Sequence, residues 1–111
     1  MRIARKPPKS GSPSKKLPPV HPGEVLKSVL EDAGLTANRT ALALRIPANR
    51  LTGIINGARS ITADTAIRLA RFFGTSAEMW INLQAKYDLQ KAEDELSERV
   101  AEEVAPFVKV A

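Results

Sequence analysis

Between Thr36 and Asn56 the chain reads TANRTALALRIPANRLTGIIN, and the polar residues of this stretch are the ones whose types and spacing suggest chemistry. In the segment that begins at Pro47, helical spacing puts Leu51, Ile54 and Ile55 on one side. Ala48, Asn49, Arg50, Thr52 and Gly53 are left on the other side, followed by Asn56 and Arg59. That outward set is small, hydrogen-bonding and cationic. A DNA major groove admits such a helix, because arginine forks onto guanine, asparagine pairs with adenine, and small residues allow close approach. Asn38 and Arg39 fall in the first turn of the preceding helix, where N-terminal groups can touch phosphates, although plain solvent exposure accounts for them nearly as well.

Other chemistries find little support. His21 is the only histidine and has no second histidine or acidic pair at ligand spacing, so it reads as a helix-start residue rather than a base or metal ligand. With no cysteine there is no thiolate site, disulfide or cysteine nucleophile. There is no Ser/His/Asp set, no carboxylate pair beside a histidine and no glycine-rich phosphate loop, so no enzymatic activity, metal or cofactor is expected.

The elements that must hold the polar face follow from caps and periodicity. A first helix opens at His21-Pro22-Gly23-Glu24, buries Val25, Leu26, Val29, Leu30 and Ala33, and stops at Gly34 with Leu35 folding back. Thr36 caps a second helix whose Ala41 and Leu44 turn inward. Arg45, Ile46 and Pro47 make a tight turn, and the third helix starts at Pro47. After a turn at Asn56 to Ser60, Thr62 caps a fourth helix that buries Ala66, Leu69, Ala70 and Phe73 and ends at Gly74. Thr75 and Glu78 read as a capping box for a fifth helix with Trp80, Leu83 and Tyr87 on its core face and Met79 alongside. No strand periodicity occurs, which gives an all-α chain.

The ends differ in character. The chain of 111 residues is about one domain long and carries a formal charge of +5, spread unevenly. Residues 1–20 are basic and proline-rich, too poor in apolar residues to form a core, and are expected to be a flexible tail. Residues 21–90 form the helix-turn-helix domain. Residues 91–111 form an acidic helical extension in which Ala92, Leu96, Val100 and Val104 make a narrow apolar seam that must bury against the domain, a second copy or a basic partner. No apolar run of about 18 residues is present to cross a membrane, and a soluble cytoplasmic protein is the simplest reading.

Several motifs together resemble the HigA-type antitoxins. These are His21-Pro22-Gly23-Glu24, Asn56-Gly57 with Arg59, Ile61-Thr62-Ala63-Asp64-Thr65-Ala66, Arg68-Leu69-Ala70, Phe72-Phe73-Gly74-Thr75-Ser76, Trp80, Asn82-Leu83-Gln84 and Tyr87-Asp88-Leu89. The resemblance spans residues 21 to about 90. It implies a five-helix bundle of the lambda-repressor-like helix-turn-helix type with a C-terminal helical extension. It further implies a homodimer that binds operator DNA in the major groove to repress its own operon and that neutralises a cognate mRNA-cleaving toxin of the RelE/HigB kind. Pro47, Ala48, Asn49, Arg50 and Thr52 match the outward positions of the family's recognition helix, and Asn56 and Arg59 match its phosphate-side turn. Thr40 stands where the family usually has leucine, Arg45 where a turn glycine is usual, and Gly53 sits inside the recognition helix. The competing reading is a phage-repressor-type regulator without a toxin. For a toxin contact, the acidic last helix is the expected docking surface, since toxins of this type are usually basic.

Overall fold

A computed structural model describes residues 18–109; the basic segment before them, and with it most of the expected tail, lies outside the described residues. Five helices follow in order: α1 (Pro22–Ala33), α2 (Ala37–Leu44), α3 (Ala48–Ile55), α4 (Ala63–Phe73) and α5 (Ala77–Glu103). Among the described residues there is no strand, and the chain is all-α. α1 and α2 both pack on α3, α2 also meets α4, and α5 lies along α4 and α1.

The core is built from the apolar face of each helix. Leu26 and Leu30 of α1, Ala41 and Leu44 of α2, Leu51 and Ile54 of α3, Ala66 and Leu69 of α4 and Trp80 of α5 are buried together, with Ile46 and Ile61 contributed by loops. Ile55 and Phe73 are half-buried at its edge, whereas Ala33, expected inside, is exposed on the last turn of α1. Thr40 is fully buried in a position where an apolar residue would be unremarkable. Its hydroxyl donates to the Thr36 carbonyl at 2.9 Å, so no polar group is left unpaired.

Helix boundaries show how local sequence sets the frame. His21 is the N-cap of α1: its Nδ1 accepts from the Gly23 N–H at 2.9 Å, and its ring stands edge-on to Tyr87 with centroids 4.8 Å apart. Gly23 is there because α1 starts against the last turn of α3, where any Cβ would fall on the Ile54 carbonyl. Pro47 proves to be the N-cap of α3 (φ −61°, ψ 142°) and not its first helical residue, so the helix starts at Ala48. The extended ψ of Pro47 sets the direction of the turn, and its carbonyl accepts from the Arg50 N–H at 3.1 Å. At α5 the cap is Ser76, whose hydroxyl accepts from the Met79 N–H, and not Thr75. The Thr75 hydroxyl is taken by the Trp80 indole N–H at 2.9 Å, a bond that a buried tryptophan needs.

α5 is a single helix of 27 residues, so the acidic segment continues it without a break at residue 90. Its first half closes the core. Beyond Ala92 it leaves the bundle, and Leu96, Val100 and the C-cap residue Val104 are 37, 47 and 61% exposed. Among the described residues no helix is long and apolar enough to cross a membrane.

Candidate nucleic-acid interface

α3 is seated by Leu51 and Ile54, and its amphipathic spacing turns Ala48 and Asn49 to solvent and leaves Arg50, Thr52 and Gly53 half-covered. Pro47 and Asn56, at its two ends, are exposed. Asn38 and Arg39 are exposed in the first turn of α2, where the Arg39 N–H donates to the Thr36 hydroxyl at 3.2 Å. The Thr52 hydroxyl donates back to the Ala48 carbonyl at 3.1 Å, so outward it offers acceptor lone pairs and a methyl group.

The turn between α2 and α3 is made by a residue that pays for its place in strain. Arg45 has φ 61° and ψ 43°, and its N–H and that of Ile46 close the end of α2 on the carbonyls of Leu42 and Ala41.

Gly53 has a positional reason that helix propensity conceals. A Cβ at this position would stand 2.8 Å from Cδ and 2.9 Å from Cγ of Arg59. The Arg59 stem therefore lies across Gly53, held there because the N–H groups of Ala58 and Arg59 both bond the Gly53 carbonyl, at 2.8 and 3.0 Å. Gly57, with φ 78°, turns the chain back for this.

Arg50 and Arg59 thus line one shallow groove, together with Ser60, Thr62, Asp64, Thr65 and Arg68. Within it Arg50 Nη1 donates to Asp64 Oδ2 at 2.7 Å, and Arg68 Nε donates to both Asp64 oxygens, at 3.1 and 3.2 Å. Arg68 Nη1 reaches on to the Leu44 carbonyl at 2.9 Å, supplying the cation that the C-terminal turn of α2 lacks. The two guanidiniums, Arg68 first and Arg50 second, hold the Asp64 carboxyl below the usual carboxylate range. Asp64 falls in the first turn of α4, where an acid is favourable on its own account, and nothing local in the sequence signals its bond to a residue on another helix. Thr62 is the N-cap of α4 but makes no capping bond with its side chain; its hydroxyl lies 3.5 Å from that of buried Thr65.

A strut that sequence reasoning also missed holds the loop bearing Arg59. Gln84 is buried on α5, where its Oε1 accepts from the Ile61 N–H at 2.8 Å and its Nε2 donates to Asp88 at 3.0 Å. Among the described residues no cluster of histidine, aspartate or glutamate could hold a metal ion.

Two short helices set by a tight turn, the second exposing its polar face from a five-helix bundle, define a helix-turn-helix protein of the lambda-repressor-like class. A helix-turn-helix family model matches residues 26–80. An antidote protein of the HigA family from Coxiella burnetii superposes with a TM-score of 0.76 at 49% identity, covering 82% of this chain and all of that one. The Pseudomonas aeruginosa antitoxin HigA, solved with the higBA promoter, gives 0.78 at 37% identity over 81% of this chain and 99% of that one. Virulence-associated protein I of Dichelobacter nodosus is 45% identical over 80 residues, 71% of this chain and 74% of the relative. The chain belongs to the HigA family of helix-turn-helix antitoxins. That family is one of regulators and antitoxins, and on this ground the chain is not an enzyme.

Proposed function

We propose that this chain is a cytoplasmic antitoxin and autorepressor: a homodimer that binds operator DNA through α3 and neutralises a basic, mRNA-cleaving toxin of the HigB kind. The observation that carries the DNA half is the arrangement of Asn49, Arg50 and Arg59: an amide and a guanidinium on the open side of a helix whose other side is locked into the core, with a second guanidinium laid against it from the following loop. In this reading Asn49 and Arg50 meet base edges, with Ala48 and Thr52 permitting close approach. Asn38, Arg39, Asn56 and Arg59 meet the phosphates on either side, and Pro47 aims the helix. A twofold axis is needed because one such helix spans only a few base pairs, and two can occupy half-sites about 34 Å apart. The Pseudomonas relative solved with promoter DNA supports the same use of the fold. The toxin half is supported by the distal part of α5, where an exposed apolar stripe is flanked by Glu93, Glu95, Glu98 and Glu102.

A mobility-shift titration with the DNA upstream of the chain's own coding sequence tests the first half. Arg50→Ala is expected to weaken binding by about 1 to 3 kcal/mol and to blur preference at one position, whereas Arg59→Ala weakens all sequences alike and lowers the salt slope by about one. If both variants bind as tightly as the parent, α3 is not the reading face. Copurification with the product of an adjacent reading frame, and rescue of growth when that product is expressed, tests the second half.

A further inference from the structure

The geometry points to Asp64, braced by Arg68, as the residue that positions Arg50 and thereby sets which base pair it prefers; this rests on the reading of α3 given above. Three bonds make one chain of contacts from the scaffold to the reading face. The Leu44 carbonyl takes Arg68 Nη1 at 2.9 Å, Arg68 Nε grips Asp64 at 3.1 and 3.2 Å, and Asp64 Oδ2 takes Arg50 Nη1 at 2.7 Å. Leu44 is the last residue of α2, and Asp64 and Arg68 sit one turn apart on α4, so Arg50 of α3 is tied to both neighbouring helices.

The consequence for recognition follows from the shape of a guanidinium. Arginine has five N–H donors in a rigid fork, and the bond to Asp64 engages one nitrogen, leaving the remaining donors to address a base. An arginine free in solvent samples many rotamers and must be ordered on binding, whereas one already gripped by a carboxylate meets most of that cost before DNA arrives. The grip also limits where the fork can point, and direction separates a base-specific contact from a general attraction to phosphate. The side chains of Arg50 and Asp64 remain 33 and 53% exposed, and exposed ion pairs contribute little to stability. Two arginines against one aspartate keep the cluster cationic, so a carboxylate can stand beside the nucleic acid without net repulsion.

The test uses the full chain and a library of duplexes with a randomised core, from which the preferred sequence is selected; affinities are then measured for that sequence, its single-base-pair variants and a scrambled duplex. The parent is expected to select a defined sequence. Arg50→Ala loses preference at one base pair, and Asp64→Asn loses about tenfold in preference at that same base pair while binding the scrambled duplex at least as well as the parent. The double variant discriminates no worse than Arg50→Ala alone, and Arg68→Lys, which keeps the charge but not the fork, shows a smaller loss at the same place. If Asp64→Asn keeps the parent's preference, or tightens binding to every duplex equally, or adds its loss to that of Arg50→Ala, the positioning role is wrong while α3 can still be the reading helix. If the parent itself selects no sequence, both the reading of α3 and the role of Asp64 fall together.

Discussion

Arg45 carries a strained backbone at the turn on which the relation of α2 to α3 depends. Its φ of 61° is one that a side chain resists and a glycine does not, and it is the only positive φ at a non-glycine among the described residues. Arg45→Gly is therefore expected to raise stability by about 1 kcal/mol, read as a higher midpoint in urea unfolding at unchanged slope. Pro47 and the apolar spacing on either side placed the turn, but the strain at Arg45 was signalled only by the resemblance, which has a turn glycine where this chain has Arg45. Asp64 was not legible in the same way. Its position in the first turn of α4 already explains an acid there, and the bond to Arg50 spans fourteen residues between helices. Its carboxyl is held below the usual range, so it stays ionised at neutral pH. Whatever stability the pair adds is present above the ordinary carboxylate pKa and is lost only as pH falls through the lowered value.

At the scale of the element, α3 has a glycine where helix propensity argues against one, and the structure attributes it to the stem of Arg59 lying across that position. Gly53→Ala is expected to leave stability within about 1 kcal/mol of the parent, since better propensity offsets the displaced side chain, while operator binding weakens as Arg59 loses its seat. Equal affinity of the parent and this variant in a titration would show that the Arg59 position has no role. The strut from α5 gives a contrasting expectation. Gln84→Ala leaves the buried Ile61 N–H without its acceptor and is expected to cost about 1 to 3 kcal/mol, seen in thermal unfolding. Helices and their order were readable because caps and periodicity agree over each one. Boundaries slipped by one residue at Pro47, where a proline suits the first helical position as well as the cap, and at Thr75, where a second plausible cap stood next to the true one. For Thr75 the deciding fact is the indole of Trp80, five residues on, which claims its hydroxyl.

Over the whole molecule, the described chain divides its work along α5. Core side chains on this helix end with Gln84, and the acidic, apolar-striped half has left the bundle by Leu96. Replacing Leu96 and Val100 together by glutamate is expected to leave the unfolding midpoint nearly unchanged, because both are exposed, and, in the proposed reading of this surface, to abolish binding of a basic toxin. A pull-down in which the doubly substituted chain still retains that partner would move the docking surface elsewhere. The apolar seam was visible in the sequence as a repeat of four, but its exposure was not, since the same repeat serves a helix folded back on its own domain. One uninterrupted rod thus has its root in the core and its tip in solvent. In the proposed reading, substitutions at the tip can change which companion protein it holds without disturbing the root, because Leu96, Val100 and Val104 lie outside the buried core.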